Sequence, residues 1–116
     1  MILNASELLK LTSSSTAGLD VSIGYDLFSD NIFSLTQNTK ISTATTTPIL
    51  TAPGTDQMSR VDEIFITNTD ASVSNTVIVI KYDGSSNYET SITMTLAAGE
   101  TLYYSFKNGW SKQILS

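Results

Sequence analysis

From Thr46 to Trp110 the chain alternates short apolar-polar runs with turn signals. The turns fall at Ala52-Pro53-Gly54, Asn68-Thr69-Asp70, Asp83-Gly84 and Ala98-Gly99. Side chains of a strand point alternately to its two faces, so period-two patterning reads as β structure. Residues 47–51 form a short run in which Pro48 marks an edge or a strand start. In 61–68, Ile64 and Ile66 share one face while Glu63 and Phe65 take the other. In 76–82 both faces are apolar, Val77 and Val79 against Ile78 and Ile80, which fits a central strand or one beneath a subunit contact. In 88–96, Tyr88, Ile92, Met94 and Leu96 are predicted inward. In 100–106, Leu102, Tyr104 and Phe106 are predicted to oppose Thr101, Tyr103 and Ser105. Trp110 follows an Asn108-Gly109 turn, and Ile114-Leu115 is a last short strand.

Upstream the pattern is looser. Val21, Ile23 and Tyr25 alternate with Ser22 and Gly24. Ile32, Phe33 and Leu35 follow an Asp30-Asn31 turn, and a short strand is predicted near Ile41. Residues 1–24 read as an N-terminal arm and linker. Ser6 could cap a short helical turn through Glu7, Leu8, Leu9 and Leu11, ahead of a flexible stretch from Thr12 to Gly18. Ile2, Leu3, Leu8, Leu9 and Leu11 need an apolar partner. They either dock on a neighbouring subunit or larger assembly, or pack back on their own domain. The compact domain then spans 25–116.

Short strands with turns at about 8–12-residue spacing indicate an all-β sandwich or small barrel. The two Cys and intervening Trp of an antibody-type domain are missing. The expected fold is therefore an antiparallel β-sandwich, jelly-roll-like, with an N-terminal arm. Ile64, Ile66, Val77, Val79, Ile92, Met94, Leu96, Leu102 and Tyr104 are its expected core.

Composition narrows the function. The chain has 116 residues, enough for one domain with one modest core. Charged residues make up 15%, low for a free monomer, which suggests that partner copies cover some of the surface. The net charge of -5 disfavours nucleic acid, since neutralising phosphates takes clustered Lys or Arg. No run approaches the roughly 18 apolar residues of a membrane span. No basic region precedes the apolar Met1-Ile2-Leu3, so synthesis in a cytoplasm and delivery by assembly are expected.

With no His and no Cys, triad chemistry through His and thiolate metal sites are ruled out. No cofactor or metal is expected. The Asp83-Gly84-Ser85-Ser86-Asn87 segment could offer oxygens to Ca²⁺ but has one carboxylate, and it reads instead as a hairpin turn. Asp62 and Glu63 are adjacent on a strand and should face opposite ways, unlike a glycosidase pair. Tyr103, Tyr104, Phe106 and Trp110 are the densest aromatic cluster. They read as core and subunit contact, with Tyr103 and Trp110 as candidates for stacking on a sugar. The Asn4-Ala5-Ser6 sequon reads as fortuitous without a secretion signal.

The stretch from Thr45 to Trp110 resembles a small β module of tailed-bacteriophage virion structural proteins. The resemblance rests on "TTTPILTAPGTDQMSRVDEIFITNTDASVSNTVIVIKYDG", then "YETSITMTLAAGETLYYS" and "NGW". It covers a little over half the chain and leaves out residues 1–44. It implies a capsid-decoration, head-fibre or tail-associated protein located in the virion and made in the host cytoplasm. Such a protein is non-enzymatic, oligomeric, often a homotrimer, and binds other virion proteins. The alternative is a carbohydrate-binding or receptor-binding module whose Tyr103 or Trp110 stacks on a host-surface glycan.

Overall fold

Thr, Val and Ile at alternating positions build strands along almost the whole chain, because branched side chains suit a pleated surface. The computed structural model describes residues 1–114. Leu115, part of the expected last strand, lies outside them. Among the described residues the strands are β1 (Ile2–Leu3), β2 (Leu8–Ser13), β3 (Leu19–Phe28), β4 (Ile32–Ile41), β5 (Thr46–Leu50), β6 (Met58–Asn68), β7 (Asn75–Tyr82), β8 (Tyr88–Leu96), β9 (Glu100–Ser105) and β10 (Gly109–Ile114). They form two antiparallel sheets. One has the order β10-β9-β6-β3-β4 with β1 also paired to β6, and the other has the order β5-β2-β7-β8.

The two orders mirror each other. β2 continues into β3, β4 into β5, β6 into β7 and β8 into β9, each passing from one sheet to the other. In both sheets these ribbons lie side by side in the same sequence. The sandwich is thus one antiparallel sheet of four long ribbons folded over on itself. It is jelly-roll-like in that the paired ribbons β2–β3 and β6–β7 wrap together from sheet to sheet. The β4–β5 ribbon flanks them instead of closing the roll.

Core side chains come from both inner faces. Leu9, Leu11, Ile49, Leu50, Val77 and Val79 of the smaller sheet meet Val21, Ile23, Val61, Ile64, Ile66 and Leu102 of the larger one. Each buried Leu, Ile or Val stabilises the fold by roughly 1.5–3 kcal/mol relative to exposure. Of the expected core, Ile64, Ile66, Val77, Val79, Leu96, Leu102 and Tyr104 are buried. Ile92 and Met94 are half-buried, because β8 is an edge strand.

Residues 1–24 are not an arm. β2 sits between β5 and β7 inside its sheet, and Leu3, Leu9 and Leu11 are fully buried. The boundary expected at residue 25 falls inside β3. The helical reading fails because Leu9, Leu11 and Ser13 repeat every second residue and face the core. Ser6 caps no helix: it takes a positive φ of 72° in the turn between β1 and β2. The alternative, that the segment packs on its own domain, is the one observed.

Extra residues in three ladders decide which side chains face in; that of β5, Ile49, sets both Ile49 and Leu50 in the core. The β6 ladder to β3 skips Asp62, so Val61 and Ser59 join Ile64 and Ile66 on the inner face. The β8 ladder to β7 skips Ser91, which turns Tyr88 onto the outer face opposite Tyr82, against its predicted inward position. Phe106 was also predicted inward. It lies beyond β9, in the turn to β10, and is exposed.

The folds of the four ribbons meet at one end of the sandwich. Ser13 N–H donates to Thr45 O (2.9 Å), Thr69 N–H to Gly18 O (2.9 Å) and Gly99 N–H to Asn68 O (2.8 Å). Two buried asparagines complete this corner. Asn75 Nδ2 donates to Ala17 O (3.0 Å) and Ser13 Oγ (2.8 Å), while its Oδ1 accepts from Ser14 N–H (3.0 Å). Asn68 Nδ2 donates to Val73 O (2.9 Å) and Leu96 O (3.0 Å), and its Oδ1 accepts from Asp70 N–H (3.0 Å). A buried carboxamide is stable only when both ends are paired, and these are.

Candidate functional site

Several acidic groups are engaged in structure. Asp83 Oδ1 accepts the N–H groups of Ser85 (2.8 Å), Ser86 (3.0 Å) and Asn87 (3.1 Å). These donors, Ser85 foremost, hold its carboxyl down at about 2. The segment is a turn stabilised by its own aspartate. Glu100 Oε1 accepts Ala97 N–H (2.6 Å) and its Oε2 lies 3.4 Å from Lys112 Nζ. The Ala97 N–H, then Lys112, hold that carboxyl below its ordinary range. Asp26 and Asp62 both bind the Arg60 guanidinium, which also lies over the Phe28 and Phe106 rings. Among the described residues, no group of three or more acidic side chains converges as a metal site would require.

Two surface features remain. The first is a groove of about 520 Å³ on the outer face of the larger sheet. Asp20, Ser22, Asn38, Lys40, Phe65 and Thr67 line it. Tyr103 pairs with Phe65 across the β6–β9 ladder, and their rings are tilted by 42° with centroids 4.8 Å apart. An aromatic pair beside amide, hydroxyl and charged groups can stack on a sugar face while bonding its hydroxyls.

Trp110 is not part of that groove. It pairs with Tyr104, not with Tyr103, so it faces the core. Its ring lies 5.0 Å from that of Tyr104, and its Nε1 donates to Ser91 Oγ (3.3 Å). The structure therefore separates the two aromatics that the sequence offered together. It joins Tyr103 instead to Phe65, whose outward position on β6 was the available signal.

The second feature is the outer half of the β3–β4 hairpin. Ile32, Phe33 and Leu35 are 65%, 48% and 40% exposed. Alternation predicts these residues only as strand. The residues expected to dock lie elsewhere: Leu3, Leu9 and Leu11 in the core, Ile2 and Leu8 half-buried on outer faces opposite Arg60 and Tyr82.

Compared with family models, curated proteins and solved structures, the chain matches none.

Proposed function

We propose that this chain is a non-enzymatic bacteriophage virion structural protein of the capsid-decoration, head-fibre or tail-associated type. It assembles as an oligomer and binds other virion proteins. The observation that carries the protein-binding part is the exposed hairpin. Apolar side chains left uncovered on a small domain, here Phe33 and Leu35 on one face and Ile32 on the other, mark a contact with another protein. The low charge of the chain agrees with this, and the resemblance of Thr45–Trp110 supplies the virion setting. Attachment does not fall to Leu3, Leu9 and Leu11, which are buried in the core.

Mass spectrometry of gradient-purified particles from producing cells tests the reading. The chain is expected in the particles in many copies. Recovery only in the unassembled soluble fraction would overturn it.

The outer-face groove favours a second reading, a glycan-binding module. Glycan-array binding lost in both Tyr103→Ala and Phe65→Ala would support that reading. Trp110→Ala is not diagnostic, since it removes a partly buried ring from the core.

A further inference from the structure

An edge strand leaves a row of N–H and C=O groups unpaired, and proteins blunt such edges with short length, Pro, charge or a bulge. Three edges of this sandwich follow that rule. β5 has five residues, Pro48 and a register shift against β2. β8 carries Glu89 and the extra residue Ser91. β10 carries Lys112. The fourth edge, β4, follows it least: its one charge, Lys40, stands next to the strand's end. It runs ten residues, its ladder to β3 has no shift, it contains no Pro, and no charge lies between Asp30 and Lys40.

The inner face of β4 is also uncovered. Leu35 pairs with Tyr25, and Phe33 with Leu27, on the face that turns toward the second sheet. At the corner end that face is closed, with Ile41 only 4% exposed. Gln37 still meets the chain just past β5, where its Oε1 accepts Thr51 N–H (3.2 Å). Beyond Gln37 the hairpin runs past the end of β5, and Phe33 and Leu35 are left 48% and 40% exposed.

We propose that β4 is the interface between two copies of this chain, paired antiparallel edge to edge about a twofold axis at Leu35. Charge and register select a second copy as the occupant. In this pairing Leu35 meets Leu35, Ser34 meets Thr36, Phe33 meets Gln37, and Lys40 of each copy comes opposite Asp30, in the β3–β4 turn of the other. A one-residue slip would set inner against outer faces. A two-residue slip would lose both Lys40–Asp30 pairs. Each copy carries a net charge of -5, so copies repel over most of their surface. The neutral strand between a cation and an anion is where they can approach. In the single chain Lys40 has only an exposed partner, Asp20, at 3.9 Å. A protruding hairpin also keeps the second sheet clear of the axis. This pairing departs from the threefold assembly implied by the resemblance, and it holds whether or not the chain is a virion component.

Sedimentation velocity of the full chain over a concentration series tests the pairing. Dimers are expected. Leu35→Lys should give monomers with an unchanged circular dichroism spectrum. Lys40→Glu and Asp30→Lys should each weaken the dimer, by roughly threefold to tenfold for two exposed ion pairs. The doubly reversed chain should recover to near wild type, which happens only if the two residues face each other between copies. A monomeric wild type, a trimer, a dimer insensitive to Leu35→Lys, or no recovery in the double variant would each overturn the proposal.

Discussion

The two ends of the sandwich are built from the same ribbons but finished in opposite ways. At the corner end, polar side chains are inside: Asn68 and Asn75 are buried and bind backbone groups from several crossings at once. At the hairpin end, apolar side chains are outside: Ile32, Phe33 and Leu35 stand in solvent on a strand with one free edge. The difference follows from where chain direction changes. Four ribbons folding together leave backbone groups that no ladder can satisfy, and a carboxamide, with two donors and an acceptor, supplies the missing partners. A hairpin that outruns the opposing sheet has its ladder bonds to its neighbour but only partial cover over its inner face. One end is therefore complete in a single chain and the other is not.

The largest test of that contrast is removal of residues 1–18. The truncated chain should be unfolded, because β2 lies inside its sheet and its loss uncovers β5 and β7 together. A cooperative thermal transition with a β-type circular dichroism spectrum would show that the folded-over ribbon is not the unit of stability. Leu11→Ala, a milder form of the same test, should cost roughly 2–5 kcal/mol in urea denaturation.

Asn75→Ala comes next. It leaves Ala17 O without a side-chain partner and Ser14 N–H without one of its acceptors, and should destabilise the domain by roughly 2–4 kcal/mol. A loss below about 1 kcal/mol would mean that the corner closes without this residue. At the hairpin end, Phe33→Ser should change the stability of dilute, dissociated protein by no more than about 0.5 kcal/mol, as for other exposed positions. A loss comparable to that of Asn75→Ala would make the two ends alike.

The smallest effect is expected at Asp83. Its carboxyl is lowered from 3.8 to about 2 in the folded chain, chiefly by Ser85 N–H. A depressed carboxyl contributes stability above its unfolded value and loses it as pH falls toward the folded one. The turn's contribution should therefore be complete above about pH 4–5 and fade between pH 4 and 2. Asp83→Asn should flatten that part of the urea-midpoint profile. Identical profiles for the two proteins would dissociate the turn from acid sensitivity.

Alternation alone identified most strands from Thr46 onward and the inward residues Ile64, Ile66, Val77, Val79, Leu96, Leu102 and Tyr104, because a strand's two faces are fixed by covalent geometry. It also placed Tyr103 outward and the Asp83 turn between β7 and β8. What alternation could not supply was anything that depends on a partner strand. Asp62 and Ser91 are extra only relative to β3 and β7, and only those pairings turn Val61 in and Tyr88 out. β2 looked like a detached apolar segment because its neighbours, β5 and β7, are far along the chain. Trp110 left the side of Tyr103 because the turn between β9 and β10 set it opposite Tyr104. The exposure of Phe33 and Leu35, and with it the candidate interface, arises because β5 stops before β4 does. That mismatch of lengths belongs to the packing of two sheets and is written in neither strand.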